Sequence, residues 1–163
     1  GQSKLAAEGF AALFARTRDI SAGSVRLGNV YGPRQDPATE AGVVAIFCAL
    51  ARSGGRPSVF GDGKQTRDYI HVADVVAALL AMEESDDQGP LNVGTGVETT
   101  VLELAERVGS SAGRDDFEPE FEPARAGEIQ RTVGDPAVAA ERLGWRAERS
   151  IETGLDETLA AGA

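Results

Sequence analysis

Apolar positions recur along this chain with two different periods. Over residues 3–18, Leu5, Phe10, Leu13 and Phe14 fall at helical spacing, so the segment predicts a helix already in progress, with no cap before it. Gly23 marks the turn into a short strand at 24–27. Val25 to Leu27 reads as the buried end of that strand, and Gly32-Pro33 as the break after it. The polar Asn29 is expected where the strand runs out, the place where ligands of open α/β sheets collect. Residues 36–42 form a polar loop. Residues 43–51 are apolar almost throughout and stop at Ser53-Gly54-Gly55, which predicts a buried helix ended by glycine.

Ser58-Val59-Phe60 predicts a short strand, Gly61-Asp62-Gly63 a turn, and residues 68–72 a further strand. Asp74 is the expected cap of a helix reaching about Glu84, with Val75, Val76, Leu79 and Leu80 as its core face. After a loop at 85–90, Leu91-Asn92-Val93 predicts a strand. Thr100 and Glu103 have capping-box spacing and open a helix through Val108. Residues 115–123 alternate acids with Phe117 and Phe121, the pattern of an exposed edge strand. Asp135-Pro136 starts a short helix that Gly144 stops, and Ser150 caps the last one. Strands separated by helices make the fold class α/β. No Gly-x-Gly-x-x-Gly lies between a strand and a helix. Gly94-Thr95-Gly96 lacks the third glycine and reads as a turn rather than a phosphate loop.

Size and charge narrow the picture. A chain of 163 residues suits one domain with a sizeable core. No apolar run reaches the roughly 18 residues of a membrane span. The net charge of −10 argues against a nucleic-acid partner, whose phosphates need basic stripes. The lone Cys48 sits in an apolar run and reads as a core residue without a disulfide. With no secretory signal at the start, a cytoplasmic location is expected. Lys4 and Lys64 are the only lysines, and such an acidic, lysine-poor surface would suit a high-salt cytosol. No His/Cys cluster has metal spacing, so no metal is expected. His71, the only histidine, is expected to hold a strand-to-helix corner rather than to move protons. A start in mid-helix without Met reads as the back part of something longer.

Five stretches, in order, carry a family resemblance. They are Lys4 near the start, Arg26-Leu27-Gly28-Asn29-Val30-Tyr31-Gly32-Pro33-Arg34-Gln35, and Ser58-Val59-Phe60 followed by Arg67-Asp68-Tyr69-Ile70-His71-Val72. Arg125-Ala126-Gly127-Glu128 and then Arg142-Leu143-Gly144-Trp145 complete the set. Together they resemble the extended short-chain dehydrogenase/reductases of the NAD-dependent epimerase/dehydratase family, and within it the UDP-glucose 4-epimerase group. The resemblance implies the C-terminal part of a Rossmann-type doubly wound sheet plus a small nucleotide-sugar-binding domain, with the N-terminal dinucleotide-binding half missing. Residues 1–36 would end the Rossmann-type part. Residues 37–163 would be mainly substrate-binding, with some segments returning to the Rossmann core.

The resemblance also implies roles. Lys4 matches the lysine of a Tyr-x-x-x-Lys pair, its tyrosine falling just before Gly1. In the family that pair shares one helical face, the tyrosine acting as acid/base and the lysine lowering its pKa and bonding the nicotinamide ribose. Leu27, Gly28 and Val30 would line NAD. Asn29, Val44, Ser58, Val59, Phe60, Arg67, Arg125 and Glu128 would hold the UDP-sugar, with Arg67 and Arg125 on the diphosphate and Glu128 on a ribose hydroxyl. The implied activity is interconversion of UDP-glucose and UDP-galactose by oxidation and re-reduction at C4, in a longer chain that is commonly a homodimer. A dTDP-glucose 4,6-dehydratase is the alternative enzyme. A non-catalytic nucleotide-sugar-binding fragment is the alternative of another class, and the bare chain is expected to be inactive alone.

Overall fold

The structure, a computed structural model, describes residues 1–18, 20–38, 42–86 and 89–162. The chain opens with helix α1 (Gln2–Arg18), then strands β1 (Val25–Leu27) and β2 (Asn29–Tyr31), helix α2 (Val43–Ser53) and strands β3 (Ser58–Phe60), β4 (Thr66–Arg67) and β5 (Tyr69–His71). Helix α3 (Val72–Glu83), strands β6 (Leu91–Val93) and β7 (Thr99–Thr100) and helix α4 (Val101–Ser111) follow. Strands β8 (Glu120–Glu122) and β9 (Arg131–Thr132) precede helices α5 (Ala137–Leu143) and α6 (Ile151–Ala161).

Gly28 divides the first extended segment in two. Before it, β1 runs parallel to β6, with Leu27 opposite Val93; after it, β2 runs parallel to β5, with Asn29 opposite Tyr69. The expectation that a strand runs out at Asn29 is thus corrected: the strand changes partner there and continues. The expectation of a buried end at Val25 to Leu27 also fails, because Arg26 and Leu27 are exposed. Elsewhere β3 pairs with β8 in parallel, and β4 lies between β7, antiparallel, and β9, parallel.

Strand β5 separates two cores, because its successive side chains point to opposite faces. Tyr69, with Tyr31 from β2, joins Phe47 of α2, Leu104 and Val108 of α4 and Leu155 of α6. Ile70 faces the other way, onto Val75, Leu91, Val93, Ala139 and Trp145. Local signals explain most of the helix ends. Gly54 takes the left-handed position and donates its N–H to the Leu50 carbonyl, stopping α2. The Thr100 hydroxyl accepts from the Glu103 amide at 3.1 Å while the Glu103 carboxylate accepts from the Thr100 amide at 2.8 Å, the reciprocal pair that starts α4. Ser150 caps α6 by accepting from the Thr153 amide at 3.2 Å.

Helix α3 departs from expectation at its start and along its face. Its cap is His71, whose Nδ1 accepts from the Ala73 amide at 3.4 Å. Asp74 lies within the first turn, buried, where its carboxylate accepts from the Arg149 amide at 3.1 Å and its carbonyl from the Trp145 indole at 3.0 Å. Val75 and Ala78 face the core, whereas Val76, Leu79 and Leu80 are exposed. The edge strand is shorter than expected: only Glu120–Glu122 is extended, while Phe117 is buried against Phe47. Positions 39–41 of the polar loop, and 87–88 of the loop after α3, lie outside the described residues. No helix among the described residues is long and apolar enough to cross a membrane.

Candidate functional site

Gly28 also separates two clefts. On one side, Leu27 lines an open cleft of about 670 Å³ together with Lys4, Glu8 and Arg26. Arg26 grips Glu8 through Nε at 2.9 Å and Nη2 at 2.7 Å, which ties α1 to β1 one helical turn beyond Lys4. On the other side, Asn29 lines a cleft of about 330 Å³ walled by Phe47 and Leu50 of α2, Arg67 and Tyr69 of the β4–β5 segment, and Phe60 of β3. Only a residue without a side chain fits between them: a Cβ on Gly28 would sit 2.9 Å from the Asp68 carbonyl oxygen.

The smaller cleft has the composition of a ligand site, apolar walls with a few convergent polar groups. Arg67 donates through Nη1 to the Thr66 carbonyl at 2.8 Å, and its Nη2 lies 3.6 Å from a Glu128 carboxylate oxygen. The Arg125 guanidinium stacks on the Phe60 ring, 3.6 Å from the centroid. Two permanently charged forks therefore line one opening, with a carboxylate beside Arg67, an arrangement suited to a diphosphate flanked by hydroxyls. Tyr69 is 4% exposed and lines this cleft, and among the described residues its hydroxyl has no hydrogen-bond partner. Burial pushes its pKa up to about 12, so it remains a neutral donor at physiological pH.

Asp68 joins the two sides. Its carbonyl accepts the Asn29 amide at 2.6 Å. Its buried carboxylate accepts the Thr95 amide at 2.9 Å, the Thr95 hydroxyl at 2.6 Å and the Gly96 amide at 3.0 Å. The amides of Thr95 and Gly96, with the Thr95 hydroxyl, thus hold an anion, but it is the protein's own. That is why this glycine pair is not a phosphate loop, and why Gly94 lacks a side chain: a Cβ there would overlap the Asp68 carboxylate.

The structure brings Asn29, Ser58, Phe60, Arg67, Arg125 and Glu128 to the smaller cleft, and Lys4 and Leu27 to the larger one. It does not bring Val44 to either. Val44 is 2% exposed in the core, and the neighbouring Val43 faces the cleft. Val59 is likewise buried in the core between its two cleft-lining neighbours. Val30 packs on the second core. The amides of Gly28 and Asn29 are committed to the Val93 and Asp68 carbonyls, so neither is free for a ligand. Sequence reasoning missed Tyr69 and Gln65, which also lines the cleft and donates to the Phe60 carbonyl at 3.1 Å. Tyr69 stands inside the stretch that carries the resemblance and Gln65 just before it; the signal available was their alternation with Arg67.

Parallel strands ending in a cleft, with helices packed on them, are the architecture of an open α/β protein, whose ligands collect beyond the strand ends. A family model described as GDP-mannose 4,6 dehydratase matches residues 1–158, and the chain belongs to that family of NAD-dependent epimerases and dehydratases. It is 41% identical to the UDP-glucose 4-epimerase of Mycolicibacterium smegmatis over 157 residues, covering 96% of this chain and 50% of that protein. It is 35% identical to UDP-glucuronic acid decarboxylase 1 of Arabidopsis thaliana, covering 94% of this chain and 35% of that protein. Among solved structures, UDP-glucose 4-epimerase from Thermotoga maritima with UDP-glucose superposes with a TM-score of 0.94 at 41% identity, covering 99% of this chain and 52% of the other. The Thermus thermophilus UDP-glucose 4-epimerase in complex with NAD gives 0.84 at 35% identity, covering 94% and 50%. The chain thus spans about half the length of the epimerases it matches.

Proposed function

We propose that this chain is the nucleotide-sugar-binding part of a UDP-sugar 4-epimerase, working with NAD in a longer polypeptide that also carries a dinucleotide-binding half. The observation that carries the reading is the framing of one cleft by Arg67, Arg125 and Glu128, with Asn29 also on its lining. The Thermotoga maritima relative, crystallised with UDP-glucose, supports UDP-glucose and UDP-galactose as the pair interconverted.

Each residue contributes by position. Arg67 and Arg125 would neutralise the diphosphate, Glu128 would accept from a ribose hydroxyl, and Asn29 can offer both a donor and an acceptor between the nucleotide and the sugar. NAD fits the larger cleft in part: Lys4 lies on it beside the exposed Leu27, while Gly28 and Val30 contribute backbone and packing rather than free amides. When bound, the nicotinamide supplies reversible hydride transfer at the sugar C4. Lys4 would hold its ribose and raise the local positive potential. We further place residues 1–36 with the Rossmann-type part and most of 37–163 with the substrate part, in a cytoplasmic enzyme that pairs as a homodimer.

Titration calorimetry with UDP tests the reading. Arg67→Ala should weaken UDP binding by about 1.5–3 kcal/mol, the scale of charged hydrogen bonds. Unchanged affinity removes Arg67 from the site. Competition between UDP-galactose and UDP-glucuronic acid then separates the epimerase reading from a decarboxylase one.

A further inference from the structure

The segment that carries Arg125 and Glu128 crosses the cleft as a strap with almost nothing buried to hold it. It leaves β8 after Glu122, opposite Phe60, and enters a second sheet at Arg131, opposite Thr66. Between these points every residue of 123–130 is exposed except Glu128, which is half-buried. Strand β9, where the strap lands, has only two residues, and both are exposed. Hydrophobic burial therefore does not fix the strap. Its landing depends on a two-residue register with β4, on the Thr66 amide donating to the Gln130 carbonyl at 2.8 Å, and on whatever side chains clamp Arg131.

That clamp is Glu98. Its carboxylate stands just before β7 and reaches across β4 to β9, so one group spans all three strands of that sheet. It accepts from the Thr66 hydroxyl at 2.7 Å, from Arg131 Nε at 2.8 Å and from Arg131 Nη2 at 2.6 Å. Isolated surface ion pairs contribute little. A forked guanidinium–carboxylate pair with a third donor on the same carboxylate is the exception, because its geometry is fixed at both ends. Those donors hold the Glu98 carboxyl down to about 2, Arg131 first and Thr66 second, so the clamp stays ionised across the physiological range.

We propose that Glu98 is a positioning residue for the nucleotide cleft: by clamping Arg131 to β4 it sets the landing of the strap, and so the reach of Arg125 and Glu128 toward the diphosphate and ribose. Glu98 itself lines neither cleft. The inference rests on the nucleotide-sugar reading given above.

Two readouts test it, both on the whole chain. Glu98→Gln removes the charge and should weaken UDP binding about fivefold by calorimetry, while hydrogen exchange at the amides of 124–130 becomes faster and that of α4 stays unchanged. In the Arg125→Ala, Glu128→Ala background the same change should cost no further affinity, because the clamp acts only through those two side chains. The swap Glu98→Arg with Arg131→Glu should restore most of the loss. An equal fivefold loss in that double-variant background, or unchanged exchange in the strap, overturns the proposal. UDP binding that Arg67→Ala weakens and Glu98→Gln leaves alone overturns it while the nucleotide reading stands. Absence of UDP binding by the unaltered chain removes both.

Discussion

Asp68 holds Thr95 through both of that residue's donors, the backbone amide at 2.9 Å and the hydroxyl at 2.6 Å, on a single carboxylate oxygen. The other oxygen takes the Gly96 amide, so a buried charge is matched by three donors. Replacing Asp68 by Asn turns one acceptor into a donor aimed at other donors. The variant should lose about 2–3 kcal/mol of stability in urea denaturation, the range for a buried hydrogen-bonded charge. A loss under about 0.5 kcal/mol would mean that the turn 94–96 is held by something else.

Tyr69 carries the opposite situation, a buried hydroxyl with no partner. An unsatisfied buried polar group costs about 1–3 kcal/mol. Tyr69→Phe should therefore leave the free chain as stable or up to about 1 kcal/mol more stable, and yet weaken UDP binding. Loss of stability with unchanged affinity would place the hydroxyl's partner inside the protein instead. Thermal melts with and without UDP give both numbers.

His71 predicts a pH dependence. Burial pushes its pKa below the ordinary value, outweighing the upward pull of Glu157, whose carboxylate lies 3.5 Å away. In the unfolded chain a histidine titrates near about 6.5. Below that pH the unfolded chain takes up a proton that the folded chain resists, so stability is fully present above about pH 6.5 and declines as the pH falls. Urea midpoints at pH 7.5 and 5.5 should differ, and His71→Asn, which keeps a capping acceptor, should shrink the difference. An equal difference in the variant would assign the effect to other groups.

Gly28→Ala should separate β2 from β5, because the new methyl meets the Asp68 carbonyl, a backbone atom that cannot rotate away. Overpacking of this kind costs about 1–3 kcal/mol. The same variant should weaken UDP binding through the displaced Asn29. A stable variant with native affinity would show that the strand yields by a few tenths of an ångström without consequence.

Much of this was legible in sequence because its causes are local. The reciprocal Thr100–Glu103 pair, the Ser150 cap and the glycine stop at Gly54 need only neighbouring residues to act. The cap of α3 was misread because Asp74 is of a favoured capping type, while its carboxylate is taken by a distant partner, the Arg149 amide. The run at Asn29 was misread for a similar reason, since only the pairing with β5 reveals that the strand continues. Helix α2 is apolar nearly all round, so no periodicity could tell that Val43, and not Val44, faces the cleft. For the site, the arginines and Glu128 were legible from the family resemblance. Tyr69 was not, because only the packed structure shows that its hydroxyl lacks a partner.

The partition at Gly28 has a metric consequence. Leu27 and Asn29 belong to different clefts yet are separated by one residue, and two steps of extended chain cover at most about 7 Å. The backbone therefore acts as a ruler between the place where Lys4 stands and the place where Arg67 stands. Any molecule that touches both Leu27 and Asn29 does so across a single glycine.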